Sequence, residues 1–321
     1  MAIIGQDISQ AKNFLKAGKL VAIPTETVYG LAGNALNTAA VASIFETKNR
    51  PSFDPLIIHT SSIERVDDFV GEFPEPLYKL AKKFWPGPLT LLLPRKSNVP
   101  DLVTSGLEKV AVRVPDHPLT NSLLEILDFP LAAPSANPFG YISPTTAKHV
   151  QDQLGEKIPY ILDGGSCQVG LESTIVGMEN DQLFIYRLGG LEVADIEKIV
   201  GLVQIKNHSS SNPQAPGLLE SHYAPRKPFL LGNLDELVSN HLRGKKRFGV
   251  MSLSKTFKDV KVEYQKQLSP SGDLKEAAQN LFGFMRYLDE QNIEVILAEE
   301  MPVEGLGNAI NDRLKRAAAE K

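Results

Sequence analysis

Cys167 is the only cysteine in the 321 residues. With one thiol, no intrachain disulfide can form and no cysteine zinc site can be assembled, a usage that fits a reducing, cytoplasmic compartment. Long apolar runs are missing too. No stretch approaches the roughly 18 apolar residues of a transmembrane helix. Asp7 arrives too early for the basic-then-apolar layout of a secretory signal. An excess of positive charge is also lacking, since the formal net charge is −4. A protein that coats duplex nucleic acid is normally basic, so that class is disfavoured, while a local basic cleft for one small polyanion stays open. The common nucleotide and hydrolase signatures are absent as well. The nearest approach to a phosphate-binding P-loop, between Gly165 and Gly170, is followed by Leu171 where a lysine is needed. No dinucleotide glycine fingerprint follows a strand, and there is neither an HExxH pair nor a GxSxG elbow.

What is present is a globular composition, 42% hydrophobic, in a chain long enough for two domains and for a core that needs no disulfide or metal. The segment 207–217 (NHSSSNPQAPG) is too rich in Ser, Asn and Pro to hold a helix or pair well as a strand, so it reads as a linker. The expected division is a first domain over 1–204, an extended linker over 205–227 and a second domain over 228–321. In the first part, apolar runs at 20–23, 56–59, 89–93, 110–114, 131–133 and 161–162 read as strands. Segments 38–45 and 75–85 read as helices, and 174–176 with 183–187 as a closing hairpin. The mixed spacing predicts a partly antiparallel α/β sheet. In the second part, 229–231, 248–251 and 295–297 read as strands. Asp273 and Glu276 have capping-box spacing ahead of the apolar stripe Leu274, Ala278, Leu281, Met285 and Leu288. This predicts a small doubly wound α/β domain.

Polar clusters stand just after the apolar strands, where open α/β sheets place ligands. The first is Pro24-Thr25-Glu26-Thr27-Val28-Tyr29-Gly30. Its hydroxyls and backbone donors suit a zwitterion or a phosphate, and a helix start capped by Thr25 is the plain alternative. The second holds Lys48, Arg50, Asp54 and His59. Arg50 offers a planar fork and Lys48 a compact charge for phosphate, against a solvated helix end and a satisfied structural histidine. Lys109 and Arg113, four apart, fall on one face of a strand. Arg113 lies between Val112 and Val114, and a charge there needs a carboxylate partner, from the protein or from a ligand. In Ala132-Ala133-Pro134-Ser135-Ala136-Asn137, small residues let a ligand approach the backbone, or simply make a turn. Ser173-Thr174 and Arg187 complete the set, each weak alone.

Taken in order, PTETVYGL, Lys48-x-Arg50, PLIIH ending at His59, WPGPLT, VAVRVP, Ser135-x-Asn137 and Ser173-Thr174 resemble the threonylcarbamoyl-AMP synthase family in its long two-domain form, with a YrdC-like domain first. The stretch from Ala215-Pro216-Gly217 through Ser221-His222-Tyr223-Ala224-Pro225 resembles that form's extended linker, and the resemblance loosens after Pro228. The resemblance implies a twisted mixed sheet with helices, followed by a smaller Rossmann-like α/β domain. It implies that threonine is held by Thr27, His59, Arg113, the backbone at Ala133, and Ser173. It places ATP at Arg50, Asp54, Lys109, Ser135, Ser143 and Arg187, with Tyr223 reaching back over the nucleotide and Lys48 and Asn137 lining the same cleft.

The activity so implied joins L-threonine, bicarbonate or carbon dioxide, and ATP with its Mg²⁺ into threonylcarbamoyl-AMP and pyrophosphate. The product passes to a threonylcarbamoyltransferase complex that modifies tRNA next to the anticodon, with at most weak tRNA contact by this chain and no membrane partner. Lys48, Arg50 and Arg187 are expected to neutralise the developing charge. The linker and second domain are expected to act as a lid over a product that water destroys. Two rivals stand beside this reading. A non-catalytic double-stranded RNA or tRNA binder leaves Arg113 and the small-residue pocket unexplained. A carbamoyl-transfer enzyme with a YrdC-like domain normally carries zinc fingers, which one cysteine cannot build.

Overall fold

Eleven short strands, most of them apolar, pair into one mixed sheet in the computed structural model, which describes residues 1–206 and 215–319. In chain order they are β1 (Ile3–Gly5), β2 (Val21–Ile23), β3 (Gly30–Asn34), β4 (Ile57–His59), β5 (Leu89–Pro94), β6 (Lys109–Arg113), β7 (Leu131–Ala132), β8 (Tyr160–Leu162), β9 (Thr174–Glu179), β10 (Gln182–Arg187) and β11 (Gln204–Ile205). Across the sheet the order is β1-β8-β2-β3-β7-β4-β6-β5-β9-β10-β11. Parallel pairs such as β4 with β6 alternate with antiparallel ones such as β5 with β6 and the β9–β10 hairpin. The helices between them are α1 (Ile8–Lys16), α2 (Thr38–Lys48), α3 (Glu75–Phe84), α4 (Asp101–Thr104), α5 (Pro118–Ile126), α6 (Ala147–Leu154) and α7 (Val193–Val200).

β2, β4, β5 and β8 stop where their apolar runs stop, and polar groups follow. α2 starts at an Asn37 cap, whose side chain accepts from the amides of Ala39 and Ala40, and ends on Asn49 in the left-handed conformation. Thr25 does not cap a helix. Its hydroxyl accepts from the amides of Thr27 and Val28 and donates to the carbonyl of Val28, closing a turn that leads into β3.

The second sheet is wholly parallel, ordered β12-β15-β13-β14. Its strands are β12 (Phe229–Leu231), β13 (Phe248–Ser252), β14 (Gln265–Gln267) and β15 (Val295–Ala298), with helices α8 (Leu234–Arg243), α9 (Leu274–Glu290) and α10 (Gly307–Ala318). Asp273 caps α9 through the amides of Lys275 and Glu276, as its spacing predicts. Residues 207–214 of the expected linker lie outside the described residues. From Ala215 to Pro225 the chain runs as a strap: Ala215 and Leu218 pack with Ile57 and Ala111 on the sheet face that carries Arg113. Tyr223 and Phe282 join the large core cluster that runs from the first sheet into α9 and α10. Among the described residues no helix is long and apolar enough to cross a membrane.

Candidate active site

The register of the sheet sets the site. β4 and β6 run parallel with His59 opposite Arg113, so both side chains leave the same face as neighbours. Antiparallel pairing of β4 with β7 puts Ala133, just past β7, against β4 through its amide to the carbonyl of Ile57. A register shift between Ile185 and Arg187 in β10 re-aims Arg187 inward. Thr27, Arg50, His59, Arg113, Ala133, Ser135, Ser173, Arg187 and Tyr223 consequently line one cavity.

Arg113 meets a carboxylate of the protein: its Nη2 lies 2.6 Å from Glu26 Oε1, an ion pair without hydrogen-bond alignment. Its Nη1 donates to Thr27 Oγ1 at 2.8 Å and its Nε to the carbonyl of Gly87 at 3.2 Å. Thr27 is in turn bonded to Thr25. Ser173 Oγ shares a hydrogen bond with Thr90 Oγ1 at 2.7 Å and accepts one from Arg187 at 3.1 Å. Arg187 also donates to the carbonyl of Ser173 and, across the strap, to that of Pro216 at 3.1 Å. Gly217 follows at φ 81°; a Cβ there would stand 2.7 Å from the Tyr223 hydroxyl and 3.2 Å from Arg187, so only glycine lets the strap pass this close. Arg50 is braced by Asp54: Nη2 is 2.9 Å from Oδ2, and Nε and Nη2 donate to the carbonyls of Asp54 and Pro55.

Five expected residues do not reach the cavity wall. Lys48 is buried rather than solvated at the end of α2, and its ammonium donates to the carbonyls of Ser135 and Asn137. It ties the two short signatures together from behind. Asn137 spends its amide on the carbonyls of Pro138 and Tyr141. Asp54 stands behind Arg50, and burial raises its carboxyl's pKa while Arg50 opposes that rise. Lys109 is at the far end of β6, about 13 Å along the strand from Arg113, and donates to the carbonyl of Met178. Ser143 is fully buried and donates to Glu172. Sequence reasoning gave no role to Glu172, which lines the cavity beside Ser173, nor to Glu26 as partner of Arg113. An acid next to a hydroxyl signature was the signal for each.

Comparison with known proteins now fixes the family. A Sua5/YciO/YrdC family model, described as telomere recombination, matches residues 13–189, and one described as the threonylcarbamoyl-AMP synthase C-terminal domain matches residues 191–319. A Pyrococcus abyssi relative, named threonylcarbamoyl-AMP synthase, is 41% identical over 322 residues, covering 96% of this chain and 93% of its own. The chain belongs to the threonylcarbamoyl-AMP synthase family. A Bacillus subtilis member of that family is 40% identical, with 97% of this chain and 92% of its own length covered. A crystal structure of the Pyrococcus abyssi family member Sua5, complexed with L-threonine, matches with a TM-score of 0.93 at 39% identity, over 99% of this chain and 97% of that one.

His59 carries a pH signature. Burial, with Arg113 beside it, lowers its pKa to about 3, and its Nδ1 has no hydrogen-bond partner. An imidazole that ionises near 6.5 when unfolded but near 3 when folded takes up its proton on unfolding. Stability is therefore lost as pH falls from 6.5 toward 3, and His59 alone costs about 2 kcal/mol between pH 7 and pH 5. His149, lowered to about 4 chiefly by burial, adds in the same direction. Urea unfolding is expected to show a lower midpoint at pH 5 than at pH 7, with a smaller gap in His59→Asn. Equal midpoints at the two pH values would contradict this account of His59.

Proposed function

We propose that this chain is an L-threonylcarbamoyladenylate synthase, a nucleotidyltransferase acting in the cytoplasm. The observation that carries the reading is the convergence of Arg50, Arg113 and Arg187 on one cavity with the hydroxyls of Thr27 and Ser173, in a chain similar over nearly its whole length to proteins of that name. Threonine needs a fork for its carboxylate, which Arg113 offers, and a small polar pocket for its side chain. ATP brings about four negative charges, which Arg50 and Arg187 meet on an otherwise acidic protein.

The threonine amine adds to carbon dioxide and loses a proton, giving a carbamate. A carbamate oxygen then forms a bond to the α-phosphorus as the bond to the β-phosphate oxygen breaks, and pyrophosphate leaves. Positioning and charge neutralisation dominate such a transfer, so no covalent enzyme intermediate is needed. Among the described residues no group of three or more His, Cys, Asp or Glu side chains is placed to hold a metal ion. Mg²⁺ carried on the phosphates of ATP would offset their charge. The strap, with buried Tyr223 against the cavity, shields the product from water, and the product passes to a transferase that acts on tRNA.

Pyrophosphate release measured with ATP, Mg²⁺ and bicarbonate tests the reading. Release is expected only with L-threonine and bicarbonate both present. Valine is expected to fail by about ten-thousandfold if the pocket hydrogen-bonds the hydroxyl. Release independent of threonine would overturn the assignment, and salt-sensitive tRNA binding without release would favour a binding module.

A further inference from the structure

Ser143 is held from both sides by arginines of the second domain. From α9, Arg286 donates through Nε to the carbonyl of Ser143 at 3.2 Å and through Nη2 to that of Ile142. From α10, Arg313 reaches Glu172 at 2.9 Å through Nε and Asp312 at 2.8 Å through Nη1, with Arg316 sharing Asp312, and the other oxygen of Glu172 accepts the Ser143 hydroxyl at 2.6 Å. Arg313 is completely buried, and its guanidinium stands 5.2 Å from the centre of the Tyr223 ring. The loop bearing Glu172 is seated on α9 as well: Gly170 has φ 74°, and a Cβ there would lie 2.5 Å from the Cα of Gln279. Glu172 meanwhile lines the cavity whose other charged groups are the three arginines.

An unneutralised carboxylate on that wall would face the phosphates of a bound nucleotide and repel them, at low dielectric and short range. We infer that Arg313 is a positioning residue of the second domain for the nucleotide: it offsets the charge of Glu172, which is braced from behind the cavity wall by the buried Ser143 hydroxyl. The second domain is thus part of the nucleotide site and more than a cover over it. This inference rests on the reading of the cavity as an ATP site.

The experiment is calorimetric titration of the full chain with ATP and Mg²⁺, run beside KM measurements for ATP and for threonine. Arg313→Met is expected to weaken ATP, in Kd and KM alike, by about tenfold or more, the scale of one lost charge-assisted interaction, with the threonine KM within about twofold. Adding Glu172→Gln to Arg313→Met removes the exposed negative charge and is expected to recover most of the ATP affinity. Arg313→Lys, which keeps the charge, is expected to lose less than Arg313→Met and serves if the methionine variant does not fold. An unchanged ATP Kd in a folded Arg313 variant overturns the inference, as does an equal rise in both KM values that Glu172→Gln does not relieve. A wild-type chain that binds no ATP marks failure of the underlying reading instead.

Discussion

Arg113→Met is expected to lower kcat/KM for threonine by about a thousandfold, the worth of two charge-assisted hydrogen bonds to one carboxylate. The same variant is expected to lose about 3–5 kcal/mol of stability, because Glu26 is left as a buried, uncompensated carboxylate. These two losses have different causes, and a second substitution separates them. Glu26→Gln in the Arg113→Met background removes the stranded charge and should return the urea midpoint most of the way to wild type. It cannot return the fork, so activity should stay low. Arg113→Lys keeps a charge for Glu26 but not the planar geometry, and should fold while binding threonine poorly. A folded Arg113→Met variant with the wild-type threonine KM would remove Arg113 from the amino-acid site.

The Arg113–Glu26 contact also answers a question the sequence poses and cannot settle. A charged residue between two buried valines demands a partner, and both a protein carboxylate and a ligand carboxylate satisfy that demand on paper. The structure supplies Glu26, and Arg113 still faces the cavity with Thr27 and His59. A fork with five donors has capacity for both anions.

Strands with apolar runs were legible because burial and β-propensity coincide in them. β4, β5, β6 and the β9–β10 hairpin fall within a residue or two of their expected bounds at the site end. β3, Gly-Leu-Ala-Gly-Asn, gave no strand signal although it is central and mostly buried, since small residues carry little hydrophobic contrast. β14, Gln-Lys-Gln, is a polar edge strand, and its pairing with β13 is set by the second sheet rather than by its own composition. The ordered signatures named the cavity residues, but spacing could not say which of them face inward. Lys48 and Lys109 look alike to a sequence reading as basic neighbours of Arg50 and Arg113. The fold turns the first onto two backbone carbonyls and carries the second to the other end of its strand. The contribution of α9 and α10 was not legible at all, because Arg286 and Arg313 sit in helices that read as ordinary amphipathic covers and meet Ser143 and Glu172 only across more than a hundred residues.

Arg187→Met is expected to lower kcat by about a hundredfold or more, as removal of a donor that acts where charge develops does. It also unfastens the strap. Arg187 is the side chain that joins the end of β10, the Ser173 backbone and hydroxyl, and the carbonyl of Pro216. Without it, the carbonyl of Pro216 loses that bond, while Ala215 and Leu218 keep their packing on the sheet. Hydrogen exchange is therefore expected to quicken at the amide of Ala224, which is bonded to the carbonyl of Gly140 beneath the strap. Arg187→Lys keeps the charge near the phosphates but cannot span Ser173 and Pro216 together. If charge is the larger part of its role, the lysine variant recovers most of kcat while exchange stays fast. If the fastening matters more, the lysine variant is as slow as the methionine one. A methionine variant with kcat within a few fold of wild type would leave Arg187 with neither part.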